Sequence, residues 1–212
     1  MRILNSLINF LFVVKPSQHI LKLAGRQRLV RAADVCALGY SAQLLLKLHA
    51  AGQLERVARG LYALPGAEPG EHQTLMEVCQ RVPKAVVCLL SALQFHGLGS
   101  EQPHEVWIAL PEGAQTPTLG YPPLRVARLR EPAYSEGMEM VMVNGVPIRV
   151  YGVAKTVADC FKFRHKIGLD VALEALKDAW RKRRLTVAEL SHFAKINRVE
   201  KVMRPYMEAL VA

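Results

Sequence analysis

The sequence is poor in cysteine and has no apolar run long enough to cross a membrane. Its four cysteines, at positions 36, 79, 88 and 160, show no C-x-x-C spacing, which argues against a zinc site and a disulfide framework. Each lies in an apolar context, so we expect buried free thiols in a reducing cytoplasm. The apolar run near the N-terminus spans roughly 12 residues, short of the roughly 20 that a transmembrane helix needs. These absences favour a cytoplasmic protein without a membrane span.

Sequence motifs of common enzyme classes are also missing. No H-E-x-x-H pair, glycine-rich phosphate loop or G-x-S-x-G turn occurs, and the acidic residues of the C-terminal half are scattered among helix ends and surfaces. His96 in "QFHGLG" lies at a helix end beside apolar residues, where a hydrogen-bonded structural histidine is a better expectation than a catalytic one. We therefore predict that the protein is not an enzyme and has no cofactor and no metal site.

What the sequence does have is positive charge. The formal net charge is +10 and the sequence pI is near 9.7, which favours a polyanionic partner such as nucleic acid or an anionic membrane surface. Residues 26–64 contain six basic residues (Lys and Arg) and two acidic ones (Asp and Glu). Residues 65–112 contain two basic and six acidic residues, and residues 155–184 contain nine basic and four acidic residues. Two basic blocks therefore flank an acidic one, as expected if basic surfaces face a phosphate backbone. For the second block, the alternative is that its charges are only solvated on helix surfaces.

The N-terminal segment "MRILNSLINFLFVV" resembles a signal-peptide core, but no small-residue cleavage site follows it. Its apolar residues recur at helical spacing, with polar residues opposite. We predict an amphipathic extension over residues 1–16 that packs on this chain or on a second copy, with an over-extended start codon as the alternative. Only one basic residue lies in this segment before position 15, so binding to a membrane surface is a weak alternative and no membrane partner is predicted.

Residues 17–66 have the pattern of a helix-turn-helix unit. Helices are predicted from Ser17 to Gly25, from Arg31 to Leu38, and from Ser41, as N-cap, to Gly52. The second helix would bury three residues along one face: Ala32, Val35 and Cys36. Short helices joined by turns of a few residues are typical of a helix-turn-helix domain.

The third helix has the two faces that a DNA-reading helix requires. Three of its leucines, Leu44, Leu45 and Leu48, can pack into a core. The opposite face carries Gln43, Leu46, Lys47 and Ala50. Gln can pair with adenine through two hydrogen bonds and Lys can donate to guanine, so this face could read base edges in a major groove. An ordinary solvated helix face is the alternative.

The stretch after this helix, "LERVARGLYALP", predicts a β-hairpin. Strands over residues 54–57 and 61–64 would be joined by a tight connection in which Gly60 takes a positive φ. A hairpin directly after a recognition helix, tipped by arginines, is the wing of a winged helix, and its arginines would contact phosphates or an adjacent minor groove. The predicted DNA-binding residues are Ser41, Gln43, Lys47, Arg56 and Arg59.

A second domain is predicted over residues 67–212, after the linker "GAEPGEH". A helix over residues 71–81 leads into the apolar run "AVVCLLSALQFHGLG", followed by strands at "EVWIALP", "LRVARL", "EMVMV" and "PIRVY". The last two strands are joined by Asn144-Gly145, a strong two-residue hairpin signal. Helices finish the chain, over residues 155–167, 171–183 and 198–212, with another capped by Thr186 and Glu189. The predicted fold class is α+β, with a winged helix-turn-helix followed by a mixed α/β domain that ends in several helices.

Several stretches, taken in order, resemble the AbiEi family of abortive-infection antitoxins. They are "GLYALP" closing a winged helix, "SALQFHGLG" before the strand "EVWIALP", and "AKTVADCFKFRHKIGLDVALEALKDA". The resemblance runs from about residue 17 to about residue 185. It implies an antitoxin of a type IV toxin-antitoxin system, whose winged helix represses the shared promoter by binding inverted repeats in double-stranded DNA. The C-terminal domain would supply antitoxicity against a nucleotidyltransferase-like toxin encoded next door, with no stable complex expected between the two proteins.

The resemblance also assigns roles to individual residues. Gln43, Lys47, Arg56 and Arg59 match the family's DNA-reading positions. In the C-terminal domain, the matched stretch supplies a candidate antitoxicity surface made of Lys155, Thr156, Asp159, Arg164, Lys166 and Asp170. The alternative is that charged residues of this stretch only stabilise a helix.

A second function shares all the N-terminal features. A stand-alone winged-helix transcriptional regulator, whose C-terminal domain dimerises or senses a ligand, would show the same recognition helix and wing. A neighbouring nucleotidyltransferase gene would favour the antitoxin over this regulator. The N-terminal apolar segment departs from the family pattern, so self-association is left open.

Overall fold

The computed structural model describes residues 15–27, 29–66, 72–143 and 146–211. The chain divides into two compact units, an N-terminal unit of residues 1–71 and a C-terminal unit of residues 72–212. Most of the predicted amphipathic extension and the Asn144-Gly145 turn lie outside the described residues.

The N-terminal unit is built from short helices and a small sheet. Its described elements are α1 (Pro16–Gln27), β1 (Val30–Arg31), α2 (Ala32–Ala37), α3 (Gln43–Ala50), β2 (Glu55–Ala58) and β3 (Leu61–Ala63). The strands form an antiparallel sheet of order β1-β3-β2, in which Val30 lies opposite Tyr62 and Glu55 opposite Ala63. A helix, a short strand, two further helices and a hairpin that pairs with that strand make a winged helix, so the predicted fold of this unit is confirmed.

The three helices close over a small apolar core. Its buried residues are Ile20, Ala24, Val30, Val35, Leu45, Leu48, Leu54 and Tyr62. Cys36, which the sequence predicts to be buried, is exposed. Successive residues of a helix point about 100° apart, and α2 is covered on one side, where Val35 lies, while Cys36 faces away from the core.

The C-terminal unit is a mixed sheet with helices. Its described elements are α4 (Gln73–Arg81), β4 (Val86–Val87), α5 (Leu89–His96), β5 (Val106–Pro111), β6 (Leu124–Leu129), β7 (Met138–Val143), β8 (Val146–Tyr151), α6 (Val153–Lys162), α7 (Arg164–Ile167), α8 (Leu169–Arg181), α9 (Val187–Asn197) and α10 (Glu200–Val211). The sheet order is β6-β5-β4-β8-β7. The pairs β5–β6 and β4–β8 are parallel, and β4–β5 and β7–β8 are antiparallel.

Helix α6 lies at the centre of this unit. It packs against α5, α8 and α9, and eight consecutive residues, from Ala154 to Phe161, are buried. The sequence predicts one helix over residues 155–167, but α6 ends at Lys162 and a separate helix, α7, begins at Arg164. A helix with buried residues on every side is expected in the middle of a core rather than on its surface.

The predicted capping box is confirmed. The Thr186 hydroxyl accepts a hydrogen bond from the Glu189 N–H, and the Glu189 carboxylate accepts one from the Thr186 N–H. These two bonds fix the start of α9. No helix among the described residues is both long and apolar enough to cross a membrane.

Candidate nucleic-acid interface

Helix α3 presents the face that the sequence predicts for DNA reading. Leu45 and Leu48 are buried in the core of the N-terminal unit, while Gln43 and Lys47 are exposed on the opposite side. Leu46 lies between them and is 53% exposed. This helix therefore offers one amide, one ammonium group and one apolar side chain to whatever lies against it.

The two ends of α3 are fixed by local hydrogen bonds. The Ser41 hydroxyl accepts a hydrogen bond from the Gln43 N–H at 3.2 Å, although the helix begins two residues after Ser41. Gly52 follows the helix with φ of +68° and donates to the His49 carbonyl. A left-handed glycine after the last turn ends a helix sharply, as predicted. Ser41 itself is exposed and precedes the N-terminal end of α3.

The wing follows within a few residues of this helix. Strands β2 and β3 pair with a register shift between Arg56 and Ala58, and the two-residue connection is Arg59-Gly60. Gly60 has φ of +73°, as the sequence predicts for the turn. Arg56 and Arg59 are both exposed. The hairpin thus carries two cations into solvent on a short, tightly turned ribbon.

Helix α3 and the hairpin are joined by several contacts. The imidazole Nδ1 of His49, in the last turn of α3, donates to the Leu54 carbonyl at 2.9 Å. The same ring meets the Tyr62 ring edge-on at 6.2 Å between centroids. The Gly60 carbonyl accepts from the Ala32 N–H at 2.8 Å, which ties the hairpin turn to the start of α2. These contacts fix the direction of the wing relative to α3.

The candidate antitoxicity residues divide into a buried group and a more accessible group. Lys155, Thr156 and Asp159 are at most 1% exposed. The expectation that they belong to a surface is therefore wrong. Their place on the central helix α6 explains the error, because every side of that helix is covered by other elements.

The buried group forms a polar network with Asn197, whose amide oxygen is buried without a hydrogen-bond partner. The Lys155 ammonium donates to both carboxylate oxygens of Asp159, and the Asn197 amide donates to Asp159 Oδ1 at 2.7 Å. The Thr156 hydroxyl donates to the Tyr151 carbonyl at 3.0 Å. Burial raises the pKa of the Asp159 carboxyl, and the charge and hydrogen bonds of Lys155 oppose that rise. The network joins α6 to α9, since Asn197 is the last residue of α9.

Gly137 closes this network from the sheet side. A side chain at position 137 would come within 2.8 Å of the Lys155 Cβ and of the Phe193 ring. The backbone φ of Gly137 is +73°, which also favours glycine. Asn197 is the residue that sequence reasoning missed. Its partner lies 38 positions away, and no local pattern indicates such a contact.

Three candidate antitoxicity residues remain accessible around α7. Lys166 and Asp170 are exposed and Arg164 is partly exposed. Arg164 donates to the Phe161 carbonyl at 2.9 Å, and the Lys166 ammonium lies 5.6 Å from the centre of the Phe163 ring. The structure therefore brings together only half of the predicted surface.

Part of the second basic block caps α5. Lys182 donates to the Gly97 carbonyl at 2.7 Å, and Arg184 donates to the His96 carbonyl at 2.5 Å. Cations at a helix C-terminus satisfy free carbonyl groups and complement the helix dipole. These two residues therefore have a structural role, which was not predicted from the sequence.

His96 is a structural histidine, as expected. It is 9% exposed, and its Nε2 donates to the Tyr151 carbonyl at 2.7 Å. Burial and the nearby Arg184 lower its pKa, and the hydrogen bond to Tyr151 opposes them. Among the described residues, no group of three or more His, Cys, Asp and Glu side chains is arranged to hold a metal ion.

The N-terminal unit is similar to a known protein family. Residues 18–65 match the model of a family described as "Transcriptional regulator, AbiEi antitoxin". The match runs from α1 to the end of the hairpin and confirms the family resemblance over that segment. No curated protein sequence matches the chain.

Solved structures of similar fold include one from a mycobacterium. It is the crystal structure of the RV2827C protein from Mycobacterium tuberculosis, with a TM-score of 0.54 and 13% sequence identity. The likeness covers 94% of this chain and 81% of that chain. At this identity it concerns the fold alone.

Proposed function

We propose that this chain, whose residues 18–65 match the AbiEi antitoxin family of transcriptional regulators, is a type IV antitoxin of the cytoplasm. Its winged helix binds inverted repeats in its own promoter and represses transcription. Its C-terminal unit counteracts a nucleotidyltransferase-like toxin without forming a stable complex with it.

The observation that carries the DNA-binding part is the set of contacts that joins α3 to the wing. Gln43 and Lys47 are exposed on the face of α3 opposite the core, and the His49 contact fixes this face relative to the hairpin. A helix inserted in a major groove reads bases with side chains of this kind, an amide for adenine and a cation for guanine. Leu46 between them suits the methyl group of thymine.

The arginines of the wing supply the contacts that position the protein. Arg56 and Arg59 are exposed on a short ribbon, where they can reach phosphates or the adjacent minor groove. Phosphate contacts add affinity for any sequence, and the helix adds preference for one sequence. The two elements therefore have separable effects on binding.

The antitoxin part rests on the family match and on the accessible residues near α7. Arg164, Lys166 and Asp170 remain candidates for the antitoxicity surface because their side chains can be reached from solvent. The buried residues Lys155 and Asp159 act on antitoxicity only through the stability of the unit. A surface variant should therefore lose rescue while keeping its melting temperature.

The test uses two readouts in the same cells. Repression is measured with a reporter driven by the chain's own upstream region, and rescue is measured as growth when the neighbouring gene is induced. We expect Gln43→Ala and Lys47→Ala to lose repression and keep rescue, with Gln53→Ala and Lys22→Ala as matched controls at other exposed positions. Removal of residues 1–66 should abolish repression and leave rescue; loss of rescue by a folded truncation would contradict the division of roles.

The stand-alone regulator is the competing function. It is favoured by one observation: the family match covers the winged helix and stops at residue 65. Repression without any rescue by the full chain would support this regulator, and rescue by the C-terminal unit would exclude it.

A further inference from the structure

Strand β7 is an edge of the five-stranded sheet. It pairs with β8 in an unbroken antiparallel register from Met138 opposite Tyr151 to Val143 opposite Val146. Within the described part of the C-terminal unit, no strand pairs with its other side. Its sequence is MEMVMV, so methionine occupies every second position.

Alternate residues of β7 direct their backbone N–H and C=O groups toward β8 or toward the free edge. The Gly152 N–H donates to the Gly137 carbonyl at 2.9 Å, just beyond the end of the ladder. Hydrogen-bonded and non-hydrogen-bonded pairs alternate in an antiparallel ladder, so Met138, Met140 and Met142 belong to the pairs that do not bond to β8. Their backbone N–H and C=O groups therefore point away from β8, toward the free edge.

Two independent features agree with this assignment of the outward-pointing backbone groups. Met142 lies opposite Pro147, which has no N–H to donate. Met138 lies opposite Tyr151, whose carbonyl accepts from His96 and Thr156 instead. The three methionines thus offer a row of backbone donors and acceptors to a partner.

This edge lacks the features that usually keep sheet edges apart. Strand β7 has no lysine, no proline and no bulge, and its exposed side chains include Met140 at 57% and Met142 at 59%. The opposite edge of the same sheet, β6, carries exposed Arg125 and Arg128. Strand β7 carries a single charged side chain, that of Glu139, and no positive charge.

We propose that β7 pairs in antiparallel fashion with β7 of a second copy of this chain, with Met140 of each copy at the two-fold axis. In this register Met140 faces Met140 and Met138 faces Met142 of the other copy. All three methionines then use their outward N–H and C=O groups, and each pair exchanges two hydrogen bonds. The methionine side chains lie on one face of the joined sheet, because directly opposed residues share a face.

The same register suits the charges. Glu139 lies on the other face of β7 and falls opposite Val141 of the second copy, so the two carboxylates are not directly opposed. Two copies of the same strand that pair in antiparallel fashion are related by a two-fold axis, so each copy presents the same surface to the other. A second copy of this chain is therefore the partner that matches the free edge of β7. This inference rests on the sheet of the C-terminal unit and does not depend on the proposed function.

The mass of the full chain in solution tests the pairing. Light scattering after size exclusion, over a roughly hundredfold range of concentration, should give twice the chain mass of 23.6 kDa at the upper end. Met140→Lys, which places like charges at the axis, should return the mass to that of one chain. Val187→Lys is the matched control, since Val187 is an exposed apolar residue of α9 and is 42% exposed.

A second variant separates loss of pairing from loss of folding. Met140→Pro removes an N–H that points outward, so the β7–β8 ladder keeps its hydrogen bonds. We expect this variant to be monomeric with unchanged thermal unfolding at low concentration.

Cross-linking tests the register. In a background with Cys36→Ser and Cys79→Ser, Met140→Cys should form a disulfide between copies under mild oxidation, because the two Cα atoms would lie about 5.5 Å apart. Met142→Cys should not, because its two Cα atoms would be separated by four residues of strand, roughly 13 Å. A monomer at every concentration, a dimer that Met140→Lys leaves intact, or equal cross-linking at positions 140 and 142 would each overturn the proposal.

Discussion

The side chains of Lys155 and Asp159 form an ion pair that is sealed from solvent. Lys155 Nζ lies 2.6 Å from Asp159 Oδ2, and neither residue is more than 1% exposed. The ammonium group also lies 4.2 Å from the centre of the Tyr151 ring. With Asn197 as the third member, this pair holds α6 against α9. Its contribution is therefore to the fold of the C-terminal unit.

Breaking this pair should destabilise the protein strongly. Asp159→Asn leaves the Lys155 charge buried without its counter-charge, and removal of one partner of a buried pair costs about 3 to 5 kcal/mol. Urea unfolding followed by tryptophan fluorescence measures the loss.

The double variant is the matched control for that experiment. Lys155→Met with Asp159→Leu removes both charges and should restore much of the stability, since apolar replacements of buried pairs are often neutral. A single Asp159→Asn variant as stable as the parent would contradict the structural role.

Burial of His96 makes stability depend on pH. Its pKa is lowered in the folded protein, chiefly by burial, so the unfolded chain takes up the proton first on acidification. The stabilisation is complete above the ordinary histidine pKa of about 6.5 and is lost as the pH falls toward the folded pKa. Unfolding free energies at pH 7.5 and 5.5 should therefore differ, with the lower value at pH 5.5.

His96→Gln isolates this contribution. Glutamine can keep a hydrogen bond to the Tyr151 carbonyl but has no proton to gain in this range. We expect the variant to lose part of the pH dependence. An unchanged difference between the two pH values would show that other groups cause it.

The four thiols should react at very different rates. Cys36 is exposed, whereas burial raises the pKa of Cys79 to about 11 and raises the pKa of Cys88 and Cys160 as well. At pH 8 a thiol of pKa about 11 is ionised in about one molecule in a thousand, so alkylation is slow. Mass spectrometry after a short treatment with iodoacetamide should find one adduct, on Cys36, and four in urea. Labelling of Cys88 as fast as Cys36 would contradict the buried core.

Local patterns in the sequence predict much of this fold. The strand at "LRVARL" has the predicted bounds, Leu124–Leu129, because alternating residues between turns define a strand. The capping box at Thr186 and the glycine turns at positions 52 and 60 also follow from local chemistry.

The burial of Lys155 and Asp159 could not be predicted in the same way. Charged residues four positions apart on a helix have the pattern of a surface ion pair. What buries them is the packing of α9 and the close approach of Gly137, both set by contacts distant in sequence. Cys36 shows the converse case, since its apolar neighbours indicated burial and the short α2 turns it outward.

The side chains of α3 and of the wing should affect DNA binding differently. Gln43→Ala and Lys47→Ala should each weaken specific binding by about 1 to 3 kcal/mol, because each removes a contact to base edges. Arg56→Ala and Arg59→Ala should weaken binding to all sequences and reduce the salt slope by about 1 each. If the wing variants change sequence preference and the helix variants do nothing, the assigned roles are reversed.

The central claim, that the winged helix is an operator reader, is tested most directly by fluorescence anisotropy. The full chain is titrated against DNA from its own upstream region and against a scrambled duplex, over a series of salt concentrations. We predict a preference of roughly a thousandfold for the upstream DNA, within the usual range of specific binders. Equal and steeply salt-dependent binding to both duplexes would show only a basic surface and would contradict the claim.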